Sequence, residues 1–327
     1  MRLLVLHNAM ILPESHPESA SERGNIPAVR AVAETLKGAG MQVECLEVGH
    51  DLSVLVEALR SRRPDVVVNL YERMLDEPHS EARVATILER SGVAFTGSPA
   101  TALRAGRDKD RTKRLARRAR IDVPDGLIVS ELPLVESLDR WPVIVKPALR
   151  DSSQGIDDGS VVRTDEQLRD RVALLLAEYG APVLIEEYIA GREFQLHVIE
   201  APGLTMLPPT EIHFEGDSWP IVTYDRKWAE GRGLSHSVAD LEPELALRLN
   251  HLAERAFYAV GCRDYATMDV RLRPDGRSVL LEVNPNPDLG PHGGLAKALE
   301  AAGLAYGEFL IQLARGAVER MVLGATG

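Results

Sequence analysis

The first hundred residues alternate between short apolar runs and longer amphipathic stretches. Residues 2–6 form a continuous apolar run, which predicts a strand buried on both faces. The same alternation predicts strands at 42–48, 65–70 and 93–95 and helices at 27–39, 51–62 and 80–91. Strands that alternate with helices of about 10–15 residues are typical of parallel βαβ units. We therefore predict a Rossmann-like N-terminal lobe, although it has no G-x-G-x-x-G, so dinucleotide binding has no support.

The remaining residues predict a mixed architecture. A strongly basic helical stretch at 107–120 precedes a strand at 141–147 and a polar loop at 151–155. Further predicted elements are a strand at 183–189, a helix at about 242–260, strands at 264–273 and 278–284, and closing helices near 294–323. Residues 230–240 are rich in glycine and serine, which are costly to order, and we expect a mobile loop there.

Composition and charge exclude several classes of protein. The 327 residues carry 49 acidic and 38 basic side chains, a net charge of −11, which argues against a general nucleic-acid or anionic-membrane binder. The only cysteines, Cys45 and Cys262, are far apart, so neither a disulfide framework nor a cysteine-rich zinc site is expected. Because the sequence has no signal peptide and no membrane-spanning run, we expect a cytoplasmic enzyme.

Three oxygen-bearing side chains fall on two predicted strands that a tight turn joins. Asp269 lies on the first strand, and Asp275-Gly276 predicts a turn that pairs it with the strand carrying Glu282 and Asn284. Alternation places Glu282 and Asn284 on one face. Two carboxylates and an amide oxygen suit Mg²⁺, which completes its shell with water and phosphate oxygens. A solvated polar face is the alternative, and the rigid Asn-Pro-Asn-Pro exit of the second strand weakens it.

Two lysines and one loop are candidate phosphate ligands. Lys146 lies inside an otherwise apolar strand, where an unpaired ammonium group is costly, although a lysine reaching out from an edge strand is the alternative. Lys109 lies in the basic stretch, where a surface position is the simpler interpretation. The loop at 150–155 can bring backbone N–H groups close to a phosphate, but such loops are also common turns.

The strand at 183–189 runs into the polar sequence Gly191-Arg192-Glu193. Its backbone groups can pair with the edge of a purine, and the carboxylate of Glu193 suits ribose hydroxyl groups. A strand followed by an ordinary turn is the alternative. The chain has no G-x-S-x-G and no H-E-x-x-H, so a hydrolase finds less support.

Together and in this order, these features resemble the ATP-grasp superfamily and, within it, the D-alanine–D-alanine ligase group. The resemblance covers nearly the whole chain. It is carried by Arg107-Asp108-Lys109, Val143-Ile144-Val145-Lys146-Pro147, Ser152-Ser153-Gln154-Gly155-Ile156, Ile185-Glu186-Glu187-Tyr188-Ile189, Gly191-Arg192-Glu193, Lys227, Asp269 and Leu281-Glu282-Val283-Asn284.

The resemblance implies an α/β protein with a Rossmann-like N-terminal lobe and two ATP-grasp lobes, divided at 1–98, 99–185 and 186–327. ATP would lie between the last two lobes, with two Mg²⁺ ions, Mn²⁺ being an alternative. The implied ATP-binding residues are Lys109, Lys146, Ser152, Ser153, Glu186, Glu187, Tyr188, Ile189, Glu193 and Lys227. The implied metal ligands are Asp269, Glu282 and Asn284.

The resemblance also implies catalytic positions. Ser21-Glu22-Arg23 is similar to the segment that binds the amine of the first substrate. Family members carry an arginine two residues before the metal aspartate, where this chain has Thr267, so Arg271 on the same strand face is the candidate substitute. The residues assigned to catalysis are Glu22, Ser152, Lys227 and Arg271.

Several positions depart from the family pattern. Asp151 replaces a glycine beside the phosphate loop, and Trp228 replaces the tyrosine after the mobile-loop lysine. Asp288 and the stretch 290–294 stand where family members have a glycine and a serine that receive the carboxylate of the second D-alanine. The nucleotide and metal residues are retained, which favours an altered second-substrate pocket.

We therefore expect an ATP-dependent ligase that joins small amino-acid-like substrates. A carboxylate would attack the γ-phosphate of ATP, and an amine would displace phosphate from the acyl phosphate. A true D-alanine–D-alanine ligase using Arg271 is the alternative within the class. A small-molecule kinase and a nucleotide-sensing module are the alternatives outside it. No nucleic-acid or membrane partner is expected, and a homodimer is possible.

Overall fold

The computed structural model describes residues 1–13, 15–16, 18–74, 77–133, 140–200, 203–216, 219–228 and 233–324. These residues form three β-sheets, each covered by helices.

The N-terminal sheet is parallel, as predicted. Its strands are β1 (Arg2–Asn8), β2 (Gln42–Val48), β3 (Val66–Asn69) and β4 (Ala94–Phe95), in the order β2-β1-β3-β4. The helices between them are α1 (Ser19–Arg23), α2 (Asn25–Gly38), α3 (Ser53–Arg62) and α4 (Ser80–Ser91). Helix α2 buries residues at helical spacing against the sheet: Val29, Val32, Ala33 and Leu36. The Rossmann-like lobe is thus confirmed.

The central part of the chain contributes an antiparallel sheet. Two helices, α5 (Ala100–Arg107) and α6 (Lys109–Arg118), lead into β5 (Gly126–Val129), β6 (Val143–Pro147), β7 (Val161–Val162), α7 (Asp165–Tyr179) and β8 (Val183–Glu187). The strand order is β5-β8-β6-β7.

The basic stretch predicted to be helical at 107–120 forms helix α6 over Lys109–Arg118. Asp108 has an extended backbone and separates α5 from α6. Its side chain accepts a hydrogen bond from the backbone N–H of Arg111 at 2.9 Å and so begins α6. The break sets the direction of α6 and carries Lys109 inwards, to the first turn of that helix.

The C-terminal sheet has six strands. They are β9 (Arg192–Glu200), β10 (Leu204–Met206), β11 (Thr210–Phe214), β12 (Leu234–Val238), β13 (Tyr265–Leu272) and β14 (Ser278–Asn284), in the order β12-β11-β9-β13-β14 with β10 on β9. The helices of this region are α8 (Tyr224–Trp228), α9 (Pro243–Val260), α10 (Gly294–Ala301) and α11 (Tyr306–Gly324).

The predicted mobile loop at 230–240 is wrong for five of its eleven residues. Residues Leu234–Val238 form β12, which is paired along its length with β11. Residues 230–232 lie outside the described part of the chain.

The predicted lobe boundaries remain a prediction, but two observations bear on them. Strand β8 continues through Glu187, so the division between residues 185 and 186 falls inside a strand. Helix α11, from the far end of the chain, packs on the N-terminal sheet, where Leu310 and Leu313 join Leu3 and Val5 in one core. None of the helices in the described ranges is long and apolar enough to cross a membrane.

Candidate active site

A cavity of about 400 Å³ opens between the central sheet and the C-terminal sheet. Most of the predicted site residues line it: Lys146, Ser152, Ser153, Glu187, Tyr188, Ile189, Glu193, Lys227, Asp269, Arg271, Glu282 and Asn284. Three predicted residues are not in its lining: Glu22, Lys109 and Glu186. The tertiary structure therefore brings together side chains from Lys146 to Asn284, which lie far apart in the sequence.

The candidate metal ligands lie on β13 and β14. The antiparallel register pairs Asp269 with Glu282 and Thr267 with Asn284, as the predicted turn requires. Asp269 Oδ1 accepts a hydrogen bond from Gln195 at 3.0 Å. Burial, followed by the negative charges of Glu282 and Glu193, raises the pKa of Asp269 to about 7. A divalent cation would relieve this repulsion.

The donor set at this position consists of two carboxylates and one amide. Among the described residues, no group of three or more His, Cys, Asp or Glu side chains is arranged to hold a metal ion. A metal here therefore depends on the amide oxygen of Asn284 as the third protein ligand. Oxygen-only sets with few protein ligands fit Mg²⁺, which retains water and phosphate oxygens.

Glu186 is the anion with which two lysines of the site pair. Its carboxylate is 1% exposed and lies 2.7 Å from Lys146 Nζ and 2.6 Å from Lys113 Nζ. Burial opposes ionisation of Glu186, but the charges of the two lysines outweigh it and lower the pKa of Glu186. Lys146 lines the cavity, whereas Lys113 lies behind it and donates to the carbonyl of Leu281 at 3.1 Å.

Lys109 also lies behind the cavity wall. It is 4% exposed, donates to the carbonyl of Arg150 and lies 3.5 Å from Glu282 Oε2. Lys109 thus connects the phosphate loop with one of the candidate metal ligands. Lys113, which sequence reasoning missed, follows Lys109 by one helical turn on the same face of α6, and this spacing was the signal that could have revealed it.

Three residues of the loop at 150–155 have left-handed backbone conformations, which are rare for L-amino acids. Ser152 and Ser153 have φ values of 52° and 61°, and Gly155 has φ 68°. A Cβ at residue 155 would lie 2.7 Å from Pro147 Cγ, so glycine is required there. The side chain of Arg171 donates to the carbonyl of Gly155 at 2.8 Å and fixes the far end of the loop.

Asp151, the departure beside this loop, is held between two arginines. Arg73 Nη2 lies 2.6 Å from Asp151 Oδ1, and Arg107 pairs with Oδ2. Burial works against its ionisation, but the charges of Arg107 and Arg73 hold the pKa of Asp151 well below its usual range. The extra negative charge is therefore neutralised within the protein and does not confront a phosphate unpaired.

Arg271 and Glu193 form a buried ion pair at one side of the cavity. Arg271 is 3% exposed, and its Nε and Nη2 lie 2.8 and 2.6 Å from Glu193 Oε2. Its Nη1 donates to the carbonyl of Ile189 at 2.6 Å. All three donors thus engage the segment predicted to hold adenine and ribose. The assignment of Arg271 to catalysis stays a prediction.

Glu22 is buried in the N-terminal lobe. Its Oε2 accepts the backbone N–H groups of Ile11 and Leu12 at 3.1 and 3.0 Å. Its Oε1 is buried and has no hydrogen-bond partner among the described residues. Glu22 lines a neighbouring cavity of about 340 Å³ and not the main one. Its assignment to substrate binding stays a prediction.

Trp228 connects the phosphate loop with the end of α1. Its Nε1 donates to the carbonyl of Ser152 at 3.2 Å. A Cβ at residue 24 would lie 2.6 Å from the Trp228 ring, so the absence of a side chain at Gly24 makes room for the indole. Lys227, next in the chain, lines the main cavity.

A neutral histidine, His197, forms part of the cavity wall beside Asn284. His197, on β9, is 2% exposed and contacts Thr267 Oγ1 through Nδ1 at 3.0 Å and Thr210 Oγ1 through Nε2 at 3.2 Å. Burial lowers the pKa of His197 to about 3, so its ring is neutral at physiological pH. Sequence reasoning missed His197 because nothing in the sequence indicates that β9 pairs with β13 at this register.

Comparison with known proteins agrees with this geometry. The family model described as D-ala D-ala ligase C-terminus matches residues 130–315. The D-alanine–D-alanine ligase of Rhizobium meliloti (strain 1021) is 32% identical over 288 residues, which cover 86% of this chain and 88% of that protein. A D-alanine–D-alanine ligase structure from Bacillus anthracis complexed with ATP superposes with a TM-score of 0.78 at 20% identity, covering 99% of both chains. The VanG D-Ala:D-Ser ligase of Enterococcus faecalis superposes with a TM-score of 0.74 at 19% identity, covering 97% of this chain and 99% of that one.

The fold is therefore that of the ATP-grasp carboxylate–amine ligases. Within that class, the chain belongs to the D-alanine–D-alanine ligase family.

Proposed function

We propose that this protein ligates D-alanine to D-alanine with the hydrolysis of ATP. The observation that carries the proposal is the convergence, in one cavity, of three oxygen ligands with two lysines and a strained serine loop. The relatives named D-alanine–D-alanine ligase, at 31–32% identity over 86% of the chain, support D-alanine as both substrates. The identity to these relatives therefore favours the D-alanine–D-alanine ligase reaction over a ligase with an altered second-substrate pocket.

The reaction has two steps. A carboxylate oxygen of the first substrate attacks the γ-phosphorus of ATP, and the bond from that phosphorus to ADP breaks. The amine nitrogen of the second substrate then attacks the acyl carbon, the carbon–oxygen bond to phosphate breaks, and a proton leaves the amine. The protein contributes mainly position and charge neutralisation to both steps.

Asp269, Glu282 and Asn284 are the residues that would hold Mg²⁺. The fit rests on the half-buried Asp269 carboxyl, whose negative charge is disfavoured by the neighbouring carboxylates of Glu282 and Glu193. Bound Mg²⁺ would supply neutralisation of the phosphate charge. The paired strands β13 and β14 hold the three side chains on one wall of the cavity. Because the strands already fix their positions, little conformational entropy would be lost when the metal binds.

The remaining roles follow from position. Lys146 and Lys227 reach the cavity with ammonium groups, and the loop at 150–155 presents backbone N–H groups from a left-handed turn. The ion pair with Arg271 fixes the Glu193 carboxylate, which we assign to the ribose hydroxyl groups. Glu22, with one carboxylate oxygen unpaired, is assigned to the amine of the first substrate.

A second candidate function is ligation of D-alanine to a different amine. The observation that favours it is the neutral Thr267–His197 pair beside Asn284, where family members carry an arginine. Asp288 Oδ1 also accepts a hydrogen bond from the backbone N–H of Gly290 at 2.7 Å. This N–H group is therefore bonded to a carboxylate of the protein and is not free to bind the carboxylate of a substrate. The D-Ala:D-Ser specificity of the structural neighbour is an instance of another acceptor on this fold.

The test is ADP release by the purified protein with Mg-ATP across D- and L-amino acids, with mass spectrometry of the products. Formation of D-alanyl-D-alanine, dependent on D-alanine, supports the first proposal. Product formed only with another amine supports the second. ADP release without any amine requirement would instead identify a kinase. Gel filtration of the same preparation tests the homodimer, and cell fractionation tests the cytoplasmic location.

A further inference from the structure

A second cavity of about 400 Å³ adjoins the active-site cavity on the side of strand β12 and helix α10. The two cavities share two lining residues, His236 on β12 and Lys297 on α10. The active-site cavity contains the candidate metal ligands, so His236 and Lys297 lie at the junction between the reacting centre and the second cavity. Neither residue has a role in the function proposed above.

The junction carries unpaired basic groups. Lys297 lies in the first turns of α10 and makes no ion pair with a described residue, although Glu300 lines the second cavity one helical turn further on. The Nδ1 atom of His236 is buried and has no hydrogen-bond partner among the described residues. Burial, followed by the positive charges of Lys297, Lys227 and His213, lowers the pKa of His236.

The part of the cavity wall formed by His197 and Thr267 is, by contrast, uncharged. Helix α10 begins against His197, since a Cβ at Gly294 would lie 3.0 Å from His197 Cε1. His197 is neutral and is bonded to Thr267 and Thr210, and so it offers no cation to an anionic group. An acceptor carboxylate that extends past His197 towards the second cavity reaches the ammonium group of Lys297, with the imidazole of His236 beside it as a hydrogen-bonding group.

We propose that Lys297 and His236 form an outer subsite for the carboxylate of the second substrate. The enzyme then accepts, besides D-alanine, amino acids whose carboxylate is several bonds further from the amine, such as γ-amino acids and dipeptides. The inference rests on the ligase function proposed above. The chemistry is the same: the amine nitrogen displaces phosphate from the acyl phosphate and releases a proton to solvent.

Glycylglycine and its amide test this subsite, because they differ only in the terminal carboxylate. With D-alanine and Mg-ATP, we expect an amide product from glycylglycine and from γ-aminobutyrate. The variant Lys297→Met should lower the ratio of kcat/KM for glycylglycine to that for D-alanine by about tenfold. The same variant should leave the ratio unchanged when glycylglycinamide replaces glycylglycine.

Arg90→Met is the control: Arg90 is an exposed basic residue of the N-terminal lobe that lines none of the three cavities, and its loss should leave both ratios unchanged. An unchanged glycylglycine ratio in Lys297→Met would overturn the proposal, as would the absence of any product from the two longer acceptors. Binding distinguishes this failure from failure of the ligase function. Calorimetry with Mg²⁺ and a non-hydrolysable ATP analogue should show glycylglycine bound about tenfold more weakly by Lys297→Met. No binding to the parent protein overturns the subsite even if D-alanine is ligated.

Discussion

Asp269 and Glu282 are directly paired across two antiparallel strands, with both carboxylates lining one cavity. Burial and the negative charges of Glu282 and Glu193 raise the pKa of Asp269 to about 7. Two like charges held on one wall disfavour the ionised pair in the absence of a cation. Substitution of either carboxylate should therefore affect catalysis and stability in opposite directions.

Glu282→Gln should lower kcat by about 100-fold or more, because it removes half of the negative charge that would hold the metal. Without added Mg²⁺, its midpoint of thermal unfolding should equal or exceed that of the parent protein, since repulsion of Asp269 is relieved. ADP release and circular dichroism measure the two effects. Asn284→Asp keeps an oxygen ligand and should retain more of the rate. A nearly normal rate in Glu282→Gln would sink the metal assignment.

Lys146→Met should raise the KM for ATP about tenfold, because a cation in the cavity wall is lost. Lys113→Met is the matched control, because Lys113 pairs with the same buried Glu186 as Lys146 but does not line the cavity. Both variants should lose up to about 3 kcal/mol of unfolding free energy in urea. Only Lys146→Met should change the KM. Equal KM values in the two variants would show that Lys146 is structural.

Arg271→Met should raise the KM for ATP more than the KM for D-alanine. The reason is that Arg271 directs its donors to Glu193 and to the carbonyl of Ile189, the segment assigned to the nucleotide. Initial-rate kinetics with each substrate varied in turn separate the two constants. A fall in kcat with an unchanged KM for ATP would contradict this expectation and support the assignment of Arg271 to catalysis.

Glu72→Gln should flatten the pH dependence of stability. Burial, followed by the charges of Asp151, Asp288 and Glu81, raises the pKa of Glu72 from 4.5 to about 8. The folded state then binds the proton more tightly than the unfolded chain, so stability falls as the pH rises from 4.5 to about 8. Glutamine cannot titrate and removes this contribution.

The measurement is thermal unfolding of both proteins without nucleotide or metal at several pH values. As the pH is raised from 5 to 8, the thermal unfolding midpoint of the parent protein should decrease relative to that of Glu72→Gln by on the order of 3 °C. Parallel curves for the two proteins would mean that Glu72 titrates normally.

The regular elements were largely predictable because their signals are local. Residues 80–91 form a helix with the predicted bounds, and the Asp275-Gly276 turn gives the predicted pairing of β13 with β14. Local signals failed at Leu234–Val238, where pairing with β11 orders a sequence rich in serine.

The fold class, the family resemblance and most side chains of the cavity could be predicted from the sequence, because these depend on short-range periodicity and on motifs in a fixed order. The pairing of those side chains could not, because it depends on the three-dimensional packing. The partners of Glu186, Asp151 and Arg271 come from distant segments, and each ion pair depends on how the sheets pack. The same holds for His197, which is neutral because neighbouring strands bury it, and for α11, which completes the N-terminal core from the other end of the chain. Burial and charge at a site depend on three-dimensional packing, and so no local pattern encodes them.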